Sequence, residues 1–209
     1  MRILFTWHAA VEPEYRKLFK EIAKKGYELT VICPKAWTEG GRLQGVDNLK
    51  EYGYSLFLLP VIFRNRIKGF FYPQVNSLYQ IFRKFKPDIV HIFEEPYSLA
   101  CFQMVTLAKI ASPRSKIIVQ SFENMIIPQR FPFSSIERFV LNNTNLLISI
   151  PKAGESVWRS KGYSGTIKQL PVGLDEDLFK KTESFLPDYP FLNKKDKIRI
   201  GYVGRLSPE

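Results

Sequence analysis

Short apolar runs alternate with helix-length amphipathic segments along this chain, and that alternation is what most limits the folds open to it. The runs are RILFTW (2–7), YELTVIC (27–33), YSLFLL (54–59), DIVHIF (88–93), KIIVQSF (116–122), NLLISI (145–150) and TIKQL (166–170). Rich in β-branched and aromatic residues and bounded by Gly, Pro and Asn, they read as strands. Between them, helices are predicted at 13–26, 73–86, 96–111, 134–143 and 152–161. The first has Pro13 in its opening turn, Tyr15, Leu18, Phe19 and Ile22 on one face, and Gly26 as its stop. The second places Val75, Leu78, Tyr79, Phe82 and Phe85 at three- and four-residue spacings, and the third carries no charge before Lys109, which predicts burial. Residues 34–53 read as a glycine-containing loop. Strands separated by helices pair in parallel, so the expected fold class is α/β: a Rossmann-like parallel sheet with helices on both faces.

In such a sheet, ligands lie at the carboxyl ends of the strands. The informative residues are therefore those just past each run: Trp7 and His8, Glu94 and Glu95, Phe122 to Asn124, Pro151 and Gly173. EEPYS (94–98) sets two carboxylates after a strand, with Pro96 expected to open the next helix. Repulsion between neighbouring carboxylates can raise one pKa and suit it to proton transfer. The same placement also complements a helix macrodipole, and both readings stay open. SFEN (121–124) adds Glu123 and Asn124 at an adjoining strand end, so Glu94, Glu95, Glu123 and Asn124 can line one cleft. Carboxylates and amides are the groups that hydrogen-bond sugar hydroxyls. His8 could add a hydrogen bond, and Trp7 a stacking face.

Several classes are disfavoured. TWHAAVEPE, after the first strand, has no glycine, so the close backbone approach that a nicotinamide pyrophosphate needs is missing. No run has the length of a membrane span, YSLFLLPVIF being broken by Pro60. MRILFTWHAA is too short for a signal peptide, and a cytoplasmic protein is expected. Cys33 and Cys101 form no CxxC, and with His8 and His91 they suggest buried thiols, with no metal site. DED (175–177) reads as an acidic helix start within a polar, proline-punctuated linker. The net charge of +11 gathers at Arg16/Lys17/Lys20/Lys24/Lys25, Arg64/Arg66/Lys68 and Arg83/Lys84/Lys86. It suits an anionic partner, although each cluster alone reads as a solvated helix face. With Phe70, Phe71 and Tyr72 beside them, the clusters predict peripheral association with the anionic inner face of the cell membrane. A nucleic-acid partner rests on charge alone, with no binding motif, and is not expected.

Four blocks occur in order: KPDIVHIFEEPYSLACFQ (86–103), VQSFENMIIPQRFPF (119–133), SKGYSGTIKQLPVGLDEDLF (160–179) and IGYVGRLSPE (200–209). Together they resemble glycosyltransferase family 4, the group-1 glycosyltransferases of the GT-B fold. The resemblance implies two Rossmann-like domains, an N-terminal one for the acceptor and a C-terminal one for the nucleotide-sugar donor. It also implies a retaining reaction with no metal held by a DxD. The GR turn, here Gly204 and Arg205, would meet the donor diphosphate. On this reading residues 1–171 are the acceptor domain, 172–197 a linker, and 198–209 the first strand and turn of a truncated donor domain. The expected function is the acceptor side of an enzyme that moves a sugar from a nucleotide diphosphate to a glycan or lipid-linked acceptor. Glu94, Glu95 and Glu123 are the catalytic candidates, and Trp7, His8 and Asn124 the acceptor-binding ones. The sequence departs from the family pattern at HAAVEP, where many relatives have Gly-Gly, and at SFEN, where many have a histidine. The alternative is a non-catalytic module that binds a glycan or an anionic membrane.

Overall fold

All seven apolar runs become strands of one sheet in the computed structural model, which describes residues 1–39, 42–45 and 53–173. In chain order the strands are β1 (Arg2–Thr6), β2 (Glu28–Pro34), β3 (Ala36–Glu39), β4 (Arg42–Gly45), β5 (Ser55–Leu59), β6 (Ile89–Ile92), β7 (Lys116–Ser121), β8 (Leu146–Ser149) and β9 (Thr166–Gln169). The helices are α1 (Pro13–Lys24), α2 (Val75–Phe85), α3 (Leu99–Ala111), α4 (Phe133–Asn142) and α5 (Gly154–Ser160). The seven-stranded sheet runs β5-β2-β1-β6-β7-β8-β9, with every pairing parallel. The described residues fall within one unit, Met1–Gly173. The DED stretch, the strand expected at 198–203, Gly204 and Arg205 lie outside the described residues.

Strand side chains alternate between the two faces, so each strand feeds two layers. Leu4, Ile32, Val90, Ile92, Ile117 and Val119 belong to one cluster with Leu78 and Phe82 of α2, Met104 and Val105 of α3, and Val140 of α4. Phe5, Leu29, Val31 and Cys33 point the other way and pack with Phe19 of α1. Each such side chain, fully buried, contributes about 1.5–3 kcal/mol. The expected helices on both faces are therefore present, α1 on one and α2, α3 and α4 on the other.

Local expectations needed correction in four places. Residues 34–53 are not only loop, because β3 and β4 form an antiparallel hairpin there. α1 buries Arg16 together with Phe19 and leaves Tyr15 and Leu18 each 44% exposed. The Arg16 guanidinium reaches back to the carbonyls of Ala10 and Val11, at the end of the short 3-10 turn His8–Val11, and caps groups that turn leaves open. α3 starts at Leu99, not Pro96, because the Ser98 hydroxyl accepts the Cys101 N–H as a helix cap. Finally, Phe70 and Tyr72 are fully buried, so they are not part of any surface that meets lipid.

β1 has β2 on one side and β6 on the other. The chain departs from this pair in opposite directions, which opens a crevice beyond their carboxyl ends. Residues 7–8 and 93–95 emerge into it from β1 and β6, and residues 122–124 emerge from β7 alongside.

Candidate functional site

Glu94 and Glu95 are adjacent in sequence and do different things. Glu94 is 3% exposed. One of its carboxylate oxygens accepts the His8 backbone N–H at 2.6 Å, and the other lies 2.7 Å from His8 Nδ1. It clasps the end of β1 to the end of β6 across the crevice and orients the His8 ring. Glu95 turns toward β7 instead. Its Oε2 accepts the Ser121 hydroxyl at 2.5 Å, and its Oε1 accepts the Phe122 N–H at 2.8 Å.

Burial pushes the Glu95 carboxyl up to about 7 from 4.5. The Ser121 and Phe122 hydrogen bonds oppose that rise, while the charges of Glu123 and Glu94 add to it. Desolvation thus outweighs the carboxylate repulsion that the sequence suggested. Near neutral pH this side chain is divided between acid and anion, the condition a proton-transfer group needs.

Glu123 joins the same network. Its N–H donates to the Ser121 hydroxyl at 3.0 Å, and its carboxylate accepts from the Tyr97 hydroxyl. Burial, with the charges of Glu95 and Glu123 behind it, holds the Tyr97 pKa above its ordinary value, so this phenol remains a donor. Below them Lys161 and Glu137 form a buried pair at 2.7 Å, and Lys161 Nζ also lies 5.7 Å from the Tyr97 ring centre. Gly154 opens α5 against this cluster. A Cβ there would lie 1.9 Å from Ser149 Oγ and 3.1 Å from the Glu123 carbonyl, so only glycine allows the helix so close.

Trp7 does not present the open stacking face expected of it. It is 4% exposed, with Phe93 stacked at 4.4 Å and 17° and Tyr15 at 4.8 Å. Phe122 extends this row from Phe93 at 5.2 Å and is itself half exposed, so Phe122 offers an accessible ring beside the crevice. Asn124 is exposed beside Glu123. The fold therefore brings Glu95, Glu123 and Asn124 to one rim, holds Glu94 and His8 together at the crevice floor, and buries Trp7 as a wall.

Ser121, Tyr97 and Phe122 carry the geometry of this rim without having been assigned roles from sequence. EEPYS and SFEN contain them, but nothing in either motif states that one carboxylate will reach across to the other strand. Lys68 and Arg130 also stand near. With Ile67, Tyr97 and residues 127–129 they line a cavity of about 430 Å³, and no spacing in the sequence links residues so far apart.

Among the described residues, no helix is long and apolar enough to cross a membrane. The sequence model of Glycosyltransferase Family 4 matches residues 15–178. No curated protein matches by sequence. Among solved structures, Anabaena HepE in complex with UDP is similar over 88% of this chain and 47% of its own, at 18% identity and a TM-score of 0.53. Sucrose-phosphate synthase from Thermosynechococcus elongatus is similar over 86% of this chain and 93% of the solved one, at 12% identity and a TM-score of 0.55. S. aureus MnaA, in a co-structure with UDP, is similar over 79% of this chain and 42% of its own, at 17% identity and a TM-score of 0.52. These likenesses are to the fold. The chain spans about half the length of HepE.

Proposed function

This chain belongs to Glycosyltransferase Family 4, and from that premise we propose that it forms the acceptor side of a retaining glycosyltransferase. The reaction moves a sugar from a nucleoside diphosphate to a hydroxyl of a glycan or lipid-linked acceptor. UDP in the solved HepE and MnaA structures supports a nucleoside diphosphate as the leaving group. The acceptor oxygen bonds to the anomeric carbon while the bond from that carbon to the diphosphate oxygen breaks. The diphosphate leaves with the electron pair, and the proton of the acceptor hydroxyl passes to Glu95 in its anionic form.

The observation that carries this reading is the network of Glu95, Ser121 and Glu123 at the crevice rim, with one carboxyl poised near neutrality. Glu123 and Asn124 hydrogen-bond acceptor hydroxyls, and Glu95 sets the charge that a departing proton meets. His8, oriented by Glu94, faces the same crevice from β1, with Trp7 as its supporting wall. The donor diphosphate falls to Gly204 and Arg205, outside the described residues, and the reading assigns no metal to the chain. The enzyme works in the cytoplasm at an anionic membrane face, a placement supported by Arg64, Arg66 and Lys68 beside Phe63, which is 54% exposed.

The test is sugar transfer by the complete protein from a panel of sugar nucleotides, with and without Glu95→Gln. The amide keeps the volume and removes the charge. A proton-transfer or electrostatic role predicts a fall in kcat of about a hundredfold or more, with the fold intact. Unchanged turnover would confine Glu95 to holding the β7 loop, and glycan binding without transfer from any donor would favour a binding module.

A further inference from the structure

The cavity beside Tyr97 has a composition that the transfer chemistry does not use. Ile67, Lys68, Tyr97 and residues 127–130 line about 430 Å³. Lys68 Nζ sits 4.6 Å from the Phe133 ring centre and 5.8 Å from that of Tyr97. Among the described residues neither Lys68 nor Arg130 has a carboxylate within ion-pair distance. Gln129 Oε1 is buried with no hydrogen-bond partner there, although its amide nitrogen donates to the Ile127 carbonyl. Two unneutralised cations and an unmet acceptor suit an anion that also carries a hydroxyl.

The same loop then continues as an apolar surface open to solvent. Met125 is 59% exposed, Ile126 62%, Ile127 45% and Phe131 83%. Side chains this large and this open, placed together beside a charged cavity, mark a binding surface more often than a solvated one. Tyr97 donates to Glu123, so the cavity adjoins the rim where the acceptor is handled. The carboxylates whose charges reach Tyr97 each have partners of their own: Glu95 accepts from Ser121 and Phe122, Glu123 from Tyr97, and Glu137 pairs with Lys161.

We infer that this cavity takes the phosphorylated, hydroxyl-bearing head of an amphipathic acceptor, with its apolar chain lying along Met125, Ile126, Ile127 and Phe131. The phosphate oxygens accept from Lys68 and Arg130, and a head-group hydroxyl donates to Gln129. This selects the lipid-linked class over a free glycan. The inference rests on the transferase reading for its use in the cell, but its test does not.

The test is calorimetric titration of the chain with three probes: octanoyl lysophosphatidic acid as monomer, glycerol phosphate, which lacks the chain, and mono-octanoylglycerol, which lacks the phosphate. The lysolipid is expected to bind about tenfold or more tightly than either control. Arg130→Gln, at an exposed position, and Lys68→Met, which keeps the stem over both rings, should each weaken it by roughly tenfold, the loss expected for one charged hydrogen bond. Ile126→Ser with Phe131→Ser should weaken the lysolipid while leaving glycerol phosphate unchanged. The inference is overturned if no probe binds, if glycerol phosphate binds as tightly as the lysolipid, or if the charge variants bind like the parent. Transfer to a soluble glycan by a protein that ignores all three probes would overturn this inference and leave the transferase reading standing. Lysolipid binding by a protein that transfers nothing would do the reverse.

Discussion

Glu95 and His91 lie on neighbouring parts of β6 and its following turn, and burial moves their protons in opposite directions. Burial raises Glu95 from 4.5 to about 7 and lowers His91 from 6.5 to about 4, against the hydrogen bond between His91 Nε2 and the accepting Gln120 Oε1. Between pH 4.5 and 6.5 the folded chain therefore holds a proton on Glu95 that the unfolded chain has lost, and lacks one on His91 that the unfolded chain has gained. The Glu95 contribution makes stability fall with rising pH in that window, and the His91 contribution makes it rise, so the two slopes oppose. Glu95→Gln should expose a stability that climbs with pH there, and His91→Gln one that declines. Each slope is at most about 1.4 kcal/mol per pH unit, and less for the partly exposed Glu95. Urea denaturation across the window measures both; parallel curves for the two variants would refute the assignment. EEPYS announced a carboxylate with a raised pKa, but which of the two it was depended on one side chain turning to His8 and the other to Ser121. That divergence arises from strand pairing across the sheet, which no local motif contains.

Capping decides where the central helix begins. The Ser98 hydroxyl satisfies the Cys101 N–H at 3.1 Å in a fully buried setting. Ser98→Ala should cost about 1 kcal/mol, read as a lower denaturation midpoint with an unchanged slope. A shift indistinguishable from zero would mean that another group meets this N–H. Proline is common in a first helical turn and so points to a start at Pro96, yet here Pro96 belongs to the turn before the cap. The strands were legible because apolar runs of the right length between helices leave few alternatives. The face of α1 was not, since the buried position belongs to Arg16, whose long stem packs while its head caps carbonyls. The β3–β4 hairpin carries no alternation strong enough to mark it.

On the scale of the whole molecule, the excess of positive charge has to be matched to a surface. With Phe70 and Tyr72 in the core and Phe71 and Ile67 half-buried, the exposed apolar side chains beside the 64–68 cluster are Ile62, 40% exposed, and Phe63, 54% exposed. Each basic residue near an anionic bilayer contributes about 1 kcal/mol. Sedimentation with anionic vesicles at low salt should therefore retain the protein, high salt should release it, and Arg64→Gln with Arg66→Gln should reduce retention severalfold. Equal retention by neutral and anionic vesicles would remove the membrane from the account. The α/β class and the parallel sheet followed from the alternation of segments; the contribution of Phe70 and Tyr72 to a surface did not, because an aromatic beside a basic cluster looks the same in sequence whether it points inward or outward.

The clasp between Glu94 and His8 joins groups 86 residues apart in the chain. Holding such distant segments together costs loop-closure entropy before any contact repays it, so pairings of this span tend to form late in folding. β2, α1 and β5 can assemble around β1 from nearby sequence, but the crevice does not exist until β6 inserts on the other side of β1. A partly folded chain without β6 beside β1 thus has neither the clasp nor the crevice, and the rim is complete only once β7 has in turn paired with β6.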